Sequence, residues 1–255
     1  MNFWPEDYQC AISLSFDDGL ASQLEFALPA LNDRSLQATF YLNPSGKDEN
    51  PDRRCHWREF LAAWLSAHRM GHELGNHTLM HPCSLNINID TEWRAGINLR
   101  DWTLERLEAD VLEAQRRLME VFPAQTHTSF GYTCYESEVG HGSGRVSSTP
   151  MIARHFVAAR ARGEMANDPL FCDLHHLSSW PGERQAGAFL IGLVELTLAR
   201  GRWGIFTFHG IQEGHLPVGS TDFIELLDHL VRRRGQVWTA PVATIGHYIQ
   251  QNRSA

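Results

Sequence analysis

A surplus of positive charge is the first thing this sequence lacks. Lys and Arg number 22 against 30 Asp and Glu, for a formal net charge of -8 and a pI near 5.9. Binding a phosphate backbone needs a basic face that releases counterions, so nucleic acid is excluded as the expected partner. A long apolar run is also missing. The most apolar helical stretch, "AFLIGLVELTLA", is short and carries Glu195, so no membrane span is expected. The opening "MNFWPEDYQ" has no basic segment followed by an apolar one, and the expected location is cytoplasmic. Cysteine is sparse and unpatterned: Cys10, Cys55, Cys83, Cys134 and Cys172 make an odd count without a CxxC spacing. That suggests neither a disulfide framework nor a cysteine zinc cluster, and a reducing compartment is the simplest home. No low-complexity tract or linker interrupts the 255 residues, so a single domain spanning 1–255 is expected.

What is present is alternation of strands and helices. "CAISLSF" and "ATFYLN" read as strands, separated by a helix "ASQLEFALPALNDRS" with Pro29 as a kink. Trp57, Phe60, Leu61, Trp64, Leu65 and His68 form one apolar helical stripe, closed by Gly71. "HELGNHT" reads as a strand, and Leu104, Leu107, Val111, Ala114 and Leu118 line one face of a long helix. "THTSFGY" and "FVAAR" are further strands, with a short helix between Pro150 and Phe156 and the Gly-rich "GHGSG" expected as a mobile loop. The end reads as a helix from Glu183 to Arg200, strand "WGIFTFHG", a helix from Thr221 to Arg234, strand "VWTAP" and a helix from Val242. This order predicts an α/β fold with a mainly parallel sheet, either a barrel or an open doubly wound sheet.

Three short elements sit where a predicted strand stops: "FDDG" with Asp17 and Asp18, "NHTLMHP" with His77 and His81, and "FTFHG" with His209. In parallel α/β folds those strand ends face one side, so residues distant in sequence can meet there. Adjacent carboxylates repel, and Asp-Gly is by itself an ordinary turn dipeptide. The histidine pair is not a zinc-protease motif, because Thr78 stands where HExxH requires Glu. Together with Asp18, however, His77 and His81 make a set of two imidazoles and one carboxylate, an open arrangement for a divalent ion. Asp17 would then stay free to take a proton, and the cation would offset the repulsion between the two acids.

In this order "SFDDG", "HTLMHP" and "FTFHG" resemble the polysaccharide deacetylases of carbohydrate esterase family 4, the NodB homology domain. The resemblance runs from near Ile12 to the closing "VWTAPVATIGHYI". It implies a distorted (β/α) barrel of the NodB type and a metal-dependent hydrolase that removes acetyl groups from N-acetylated, or in some members O-acetylated, carbohydrate. By motif, Asp17 would be the general base, Asp18, His77 and His81 the ligands of one divalent metal ion, and His209 the general acid. Zinc is the expected ion, with cobalt, nickel or manganese as alternatives. The expected partner is a carbohydrate or small acetylated substrate.

The sequence departs from the family where the third motif usually places an arginine that orients the catalytic acid. Gly131 stands there, and Arg145 is the nearest downstream candidate to replace it. Asp173 and Trp180 are candidates for the unclear fourth motif, and Trp180 and Trp203 for stacking on a sugar ring. His72 and Glu73 are expected in strand packing, Trp57, Trp64 and Trp102 in the core. Two rival readings stand beside the deacetylase: a hydrolase of another non-peptide C-N bond in a small cytosolic substrate, and a carbohydrate-binding pseudoenzyme. Retention of both Asp17 and His209 speaks against the second.

Overall fold

The eight-residue strand β1, Cys10–Asp17, is buried along its whole length and organises the sheet around it. The computed structural model describes residues 3–46, 48–50, 57–84 and 96–253; Cys55 lies outside them. On one side β1 pairs with β9 (Trp203–Phe208) from Ala11 to Phe16; on the other, its start pairs with β12 (Val237–Thr239) and its end with β2 (Thr39–Leu42). From β2 the sheet continues through β3 (Glu73–Asn76) and β4 (Ser129–Gly131) to β7 (Ala158–Arg160), all parallel. Beyond β9 lies β8 (Trp180–Pro181). The chain just before β8 hydrogen-bonds back to the opposite edge, through Ala161 N–H to Leu177 O at 2.8 Å and Gly163 N–H to Ser179 O at 3.1 Å. The result is a curled half-barrel of the expected single-domain (β/α) type.

Strand periodicity divides β1 into two faces. Ile12, Leu14 and Phe16 join the main hydrophobic cluster beneath the helices, where Phe16 packs on Phe40, Phe208 and Phe223 with ring centroids 5.0, 5.5 and 5.8 Å away. Ser13, Ser15 and Asp17 carry the other periodicity, and the two serines donate across the sheet to Ala240 O and Phe206 O, both at 2.8 Å. The polar interior continues on the neighbouring strands. Glu73 accepts from Ser129 N–H and Oγ and from Thr39 Oγ1, each at 2.7 Å, and from Ala243 N–H at 2.9 Å. This buried carboxylate thereby ties three strands to the first turn of the last helix, and burial raises its pKa. His72 is likewise structural, bonded to Ala38 N–H and Asn32 Oδ1.

The helices follow the apolar stripes. Helix α1 (Leu28–Asn32) is preceded by a π-turn over Gln23–Ala27, with Pro29 in its first turn; α2 (Leu61–Arg69) follows a 3-10 turn that begins at the buried Trp57. The long α3 (Leu104–Val121) starts at Thr103, whose hydroxyl accepts from Arg106 N–H, and buries Leu107, Val111, Ala114 and Leu118. After it come α4 (Thr149–Ile152), α5 (Gly187–Arg200), α6 (Ser220–Arg232) and α7 (Val242–Asn252). Helix α5 begins four residues later than the sequence suggests, because Glu183–Ala186 still belong to the connection from β8. The Gly-rich segment is not a free loop. It is the turn of an antiparallel hairpin in which β5 (Glu138–Val139) pairs with β6 (Val146–Ser147). Among the described residues no helix is long and apolar enough to cross a membrane.

Against the expectation from cysteine count, Cys83 and Cys134 are joined by a disulfide; Cys10 and Cys172 are free. Spacing alone could not show this pair, which the fold brings together across 51 positions of sequence. The argument for a reducing compartment therefore falls. Chain entropy for a loop of this length predicts that Cys83→Ser with Cys134→Ser lowers stability by about 4 kcal/mol. Denaturant unfolding of the variant, and of the reduced wild type, checks this; an unchanged midpoint would refute it.

Candidate functional site

Each chemistry-bearing residue lies at or just past the C-terminal end of a strand. Asp17 closes β1 and Asp18 follows it; His77 follows β3, and His209 follows β9. The connecting backbone is unusual, since Asp18, Thr78 and His81 have φ of 78°, 63° and 54°, the left-handed region that side chains disfavour. Such strain persists only where the surroundings over-determine it, and it marks this end of the barrel. Here the surroundings are visible. Asp18 N–H donates to Tyr41 O at 3.1 Å, Thr78 N–H to Asn76 Oδ1 at 2.8 Å, and His81 N–H to Thr78 Oγ1 at 3.0 Å.

Asp18 Oδ1 is 3.7 Å from His77 Nε2 and 3.4 Å from His81 Nε2, and the three donor atoms all lie within 4.8 Å of one another. Two ligands about 2.1 Å from one ion stand about 3.4 Å apart in a tetrahedral site, so the spacing fits a divalent metal. His77 Nδ1 is 2.7 Å from Gly131 O, which fixes the N–H there and leaves Nε2 as the electron-pair donor. Burial also pushes the His77 imidazole below its ordinary pKa, although Asp17 and Asp18 pull the other way. The neutral form is the one that ligates. Asp17 Oδ2 faces the same space, 3.8 Å from His77 Nε2 and 4.0 Å from His209 Nε2. Asp17 and His77 form the buried floor, whereas Asp18, His81 and His209 retain side-chain exposure of 16%, 19% and 13% toward the mouth.

Several supporting residues carry no strand-end or motif signal. Gln23 donates through Nε2 to Asp17 O at 2.5 Å and to His209 O at 3.0 Å, clamping the ends of β1 and β9 together. Asp110, on α3, accepts from Leu79 N–H at 2.8 Å and Met80 N–H at 3.1 Å and so holds the loop between the two histidines. The disulfide and the bond from Thr133 Oγ1 to Pro82 O, at 2.6 Å, tether the far side of that loop.

The expected replacement for the missing arginine is overturned. Arg145 lies on the surface hairpin, paired with Glu138. The cation beside Asp17 is Arg160, whose Nη2 donates to Oδ1 at 2.6 Å from the end of β7. The strand-end criterion that singled out Asp17, His77 and His209 applies equally to the arginine of "FVAAR". The fourth-motif candidates do not reach the site either. Asp173 is largely exposed beside His175, and Trp180 packs in the core against Phe206. Trp203 is wholly buried and donates to Ser13 Oγ, so neither tryptophan presents a face to a sugar. Trp57, Trp64 and Trp102 are core, as their stripes indicate.

The family profile described as polysaccharide deacetylase matches residues 6–139, more than half the chain. The chain belongs to the polysaccharide deacetylase family. Comparison with curated protein sequences finds no match. Among solved structures, the peptidoglycan deacetylase PdaC from Bacillus subtilis is 13% identical with a TM-score of 0.57, covering 98% of this chain and 96% of that one. The Xyl-CE4 domain of a multidomain xylanase from the hindgut metagenome of Trinervitermes trinervoides is 15% identical with a TM-score of 0.53, covering 93% and 90%. The polysaccharide deacetylase Bc1974 from Bacillus cereus is 14% identical with a TM-score of 0.52, covering 91% of each chain. At these identities the likeness concerns the fold. The deacetylase profile includes Asp17, Asp18, His77 and His81 but stops before Arg160 and His209. The family is generally metal-dependent, and the Asp18, His77 and His81 set is compatible with that.

Burial pushes Asp110 up to about 7 despite the two backbone N–H groups that favour its anion. The folded chain therefore holds this proton more tightly than the unfolded one, and the resulting stability is full below 3.8 and lost as pH rises through about 7. Asp110→Asn should remove that part of the decline, seen as a flatter stability curve between those values in denaturant titrations of the metal-free protein.

Proposed function

We propose that this chain is a metal-dependent hydrolase that removes acetyl groups from N-acetylated or O-acetylated carbohydrate. The observation that carries the reading is the convergence of a carboxylate and an imidazole, Asp17 Oδ2 and His209 Nε2 at 4.0 Å, beside the cluster of Asp18, His77 and His81, with Asp17 Oδ2 3.8 Å from His77 Nε2. A divalent ion held by Asp18 Oδ1, His77 Nε2 and His81 Nε2 would supply Lewis-acid polarisation and a lowered pKa for water.

The chain's own residues then divide the proton transfers. Asp17 Oδ2 accepts the proton of the attacking water as it adds to the acetyl carbonyl. His209 Nε2, reaching the mouth of the site, donates a proton to the departing nitrogen or oxygen. The 4.0 Å between the two groups puts both within reach of one reacting centre. Gln23 keeps their strands in register for this task. A binding protein would need only the ligand set; an adjacent base and acid favour turnover.

Acetate release from acetylated chitooligosaccharides, peptidoglycan fragments and acetylated xylan tests the reading, and metal-loaded protein inactive on all of these and on small acetylated amides and esters would overturn it. Asp17→Asn should keep the metal while kcat falls by a factor on the order of 10² or more, whereas Asp18→Asn, His77→Ala and His81→Ala should weaken metal binding. Equal metal loss in both aspartate variants would refute the division of labour. An amine leaves poorly without a proton, while an alkoxide needs less help. His209→Ala should therefore reduce amide turnover more than ester turnover, and equal losses would remove His209 as the acid.

A further inference from the structure

His81 is the donor of the set that its own strand holds least. Asp18 and His77 directly follow β1 and β3, whereas His81 lies five residues past the end of β3. Its φ of 54° is left-handed, and the proline after it, Pro82, biases residue 81 toward extended backbone. Unrestrained, this segment would relax toward extended geometry and carry the imidazole away from Asp18 Oδ1. It is held on both sides: His81 N–H donates to Thr78 Oγ1 at 3.0 Å, and Cys83, two residues on, is bonded to Cys134.

The segment that carries Cys134 is strained in the same sense, since Cys134 and Tyr135 have consecutive φ of 49° and 60°. Around the disulfide, Thr133 Oγ1 donates to Pro82 O at 2.6 Å and Cys83 N–H to Ile97 O at 2.9 Å. Ser84 donates to Glu136 through its N–H, at 2.7 Å, and through its hydroxyl. Hydrogen bonds exchange with water when a segment moves, whereas the S–S link is covalent and opens only by redox chemistry. Cys83 is 2% exposed and Cys134 is half-buried. Ser84 and Tyr135, the residues that follow them, line a cavity of about 460 Å³ beside the surface hairpin, which gives a thiol a route toward Cys134.

We propose that the Cys83–Cys134 disulfide is a redox switch on His81. In the oxidised chain the imidazole stays at the ligand position; reduction by a dithiol releases it. A thiolate of the dithiol attacks Cys134 Sγ, the S–S bond breaks, and Cys83 leaves as a thiolate and takes up a proton. The dithiol's second thiolate then attacks its own sulfur in the mixed disulfide and frees Cys134, which takes up the second proton. Two electrons and two protons have passed from the dithiol, which departs as a cyclic disulfide. The inference rests on the hydrolase reading for its ligand set and adds a control on that site.

Zn²⁺ affinity, measured by titration calorimetry, is compared between the oxidised wild type and Cys83→Ser with Cys134→Ser. That variant stands for the reduced chain without thiols that would themselves bind the ion. The expected result is a Kd at least about tenfold higher in the serine variant. The same comparison in a His81→Ala background separates release of His81 from general loosening: there the two affinities should coincide, because a ligand already removed cannot be released. A difference below about tenfold, or one that persists without His81, overturns the proposal. Dithiothreitol should open the bond in the folded chain, as followed by thiol counting, and a disulfide that yields only on unfolding overturns the proposal as well. If the serine variant does not fold, the oxidised and phosphine-reduced wild type are compared with Mn²⁺, which thiols bind poorly, by the same criterion. A wild type that binds no divalent ion overturns the proposed function instead. The switch is then read from the NMR signals of the His81 imidazole, assigned by their loss in His81→Ala; signals unchanged on reduction overturn it, and shifted ones support it.

Discussion

A carboxylate with 5% of its side chain exposed, at the end of a strand in the middle of a parallel sheet, is the constraint around which this barrel end is organised. A charge buried there needs a partner, since removing an unpaired charge from water costs several kcal/mol. Arg160 answers that requirement at 2.6 Å, and much of the interior can be read as accommodation of the pair. Gly131 leaves room for the guanidinium, Gly75 leaves room for the Tyr41 ring beneath it, and Tyr41 in turn bonds Ser129 Oγ at 2.8 Å. Ser129 also donates to Glu73, which ties the arrangement to the opposite end of the strands.

A second set of contacts holds the ligand loop. Its backbone takes positive φ at Thr78 and His81, and it is fastened from three directions: Asp110 on α3, Asn76 and Asn43 at the strand ends, and the Cys83–Cys134 disulfide with Thr133 beside it. Under the proposed function such preorganisation would hold the donor atoms of His77 and His81 in place for an ion, and loosening a supporting group of a metal site typically costs affinity. The two systems meet at Gly131, whose carbonyl orients His77 and whose missing side chain admits Arg160.

Much of the site was legible in the chain, and for one reason. Strands that end in Asp, His or Arg within otherwise apolar runs announce side chains that a parallel sheet must bring to one rim. "FDDG", "NHTLMHP" and "FTFHG" were readable on that criterion and by resemblance. "FVAAR" meets it too, but the third-motif position falls on Gly131, and Arg145 lies nearer to it in sequence than Arg160 does. The tryptophans show the converse. Trp180 and Trp203 carry an aromatic signal that suits a sugar or a core equally, and only their packing against Phe206 and Ser13 separates the two.

By itself the sequence determined the alternation of elements, a mainly parallel sheet and the strand ends that carry Asp17, His77 and His209, because periodicity and strand termini are local properties, while the choice between a barrel and an open sheet was left to the fold. Tertiary structure decided what depends on register. A ladder places Gly131 opposite Arg160, folding brings Cys83 to Cys134 across 51 positions, and Gln23 reaches His209 O across 186 positions. None of these partners is near its mate in the chain, and the steric room at a glycine is set by what the neighbouring strand puts against it. Which cation neutralises Asp17 is therefore a property of the β4–β7 pairing, and no window of sequence contains it.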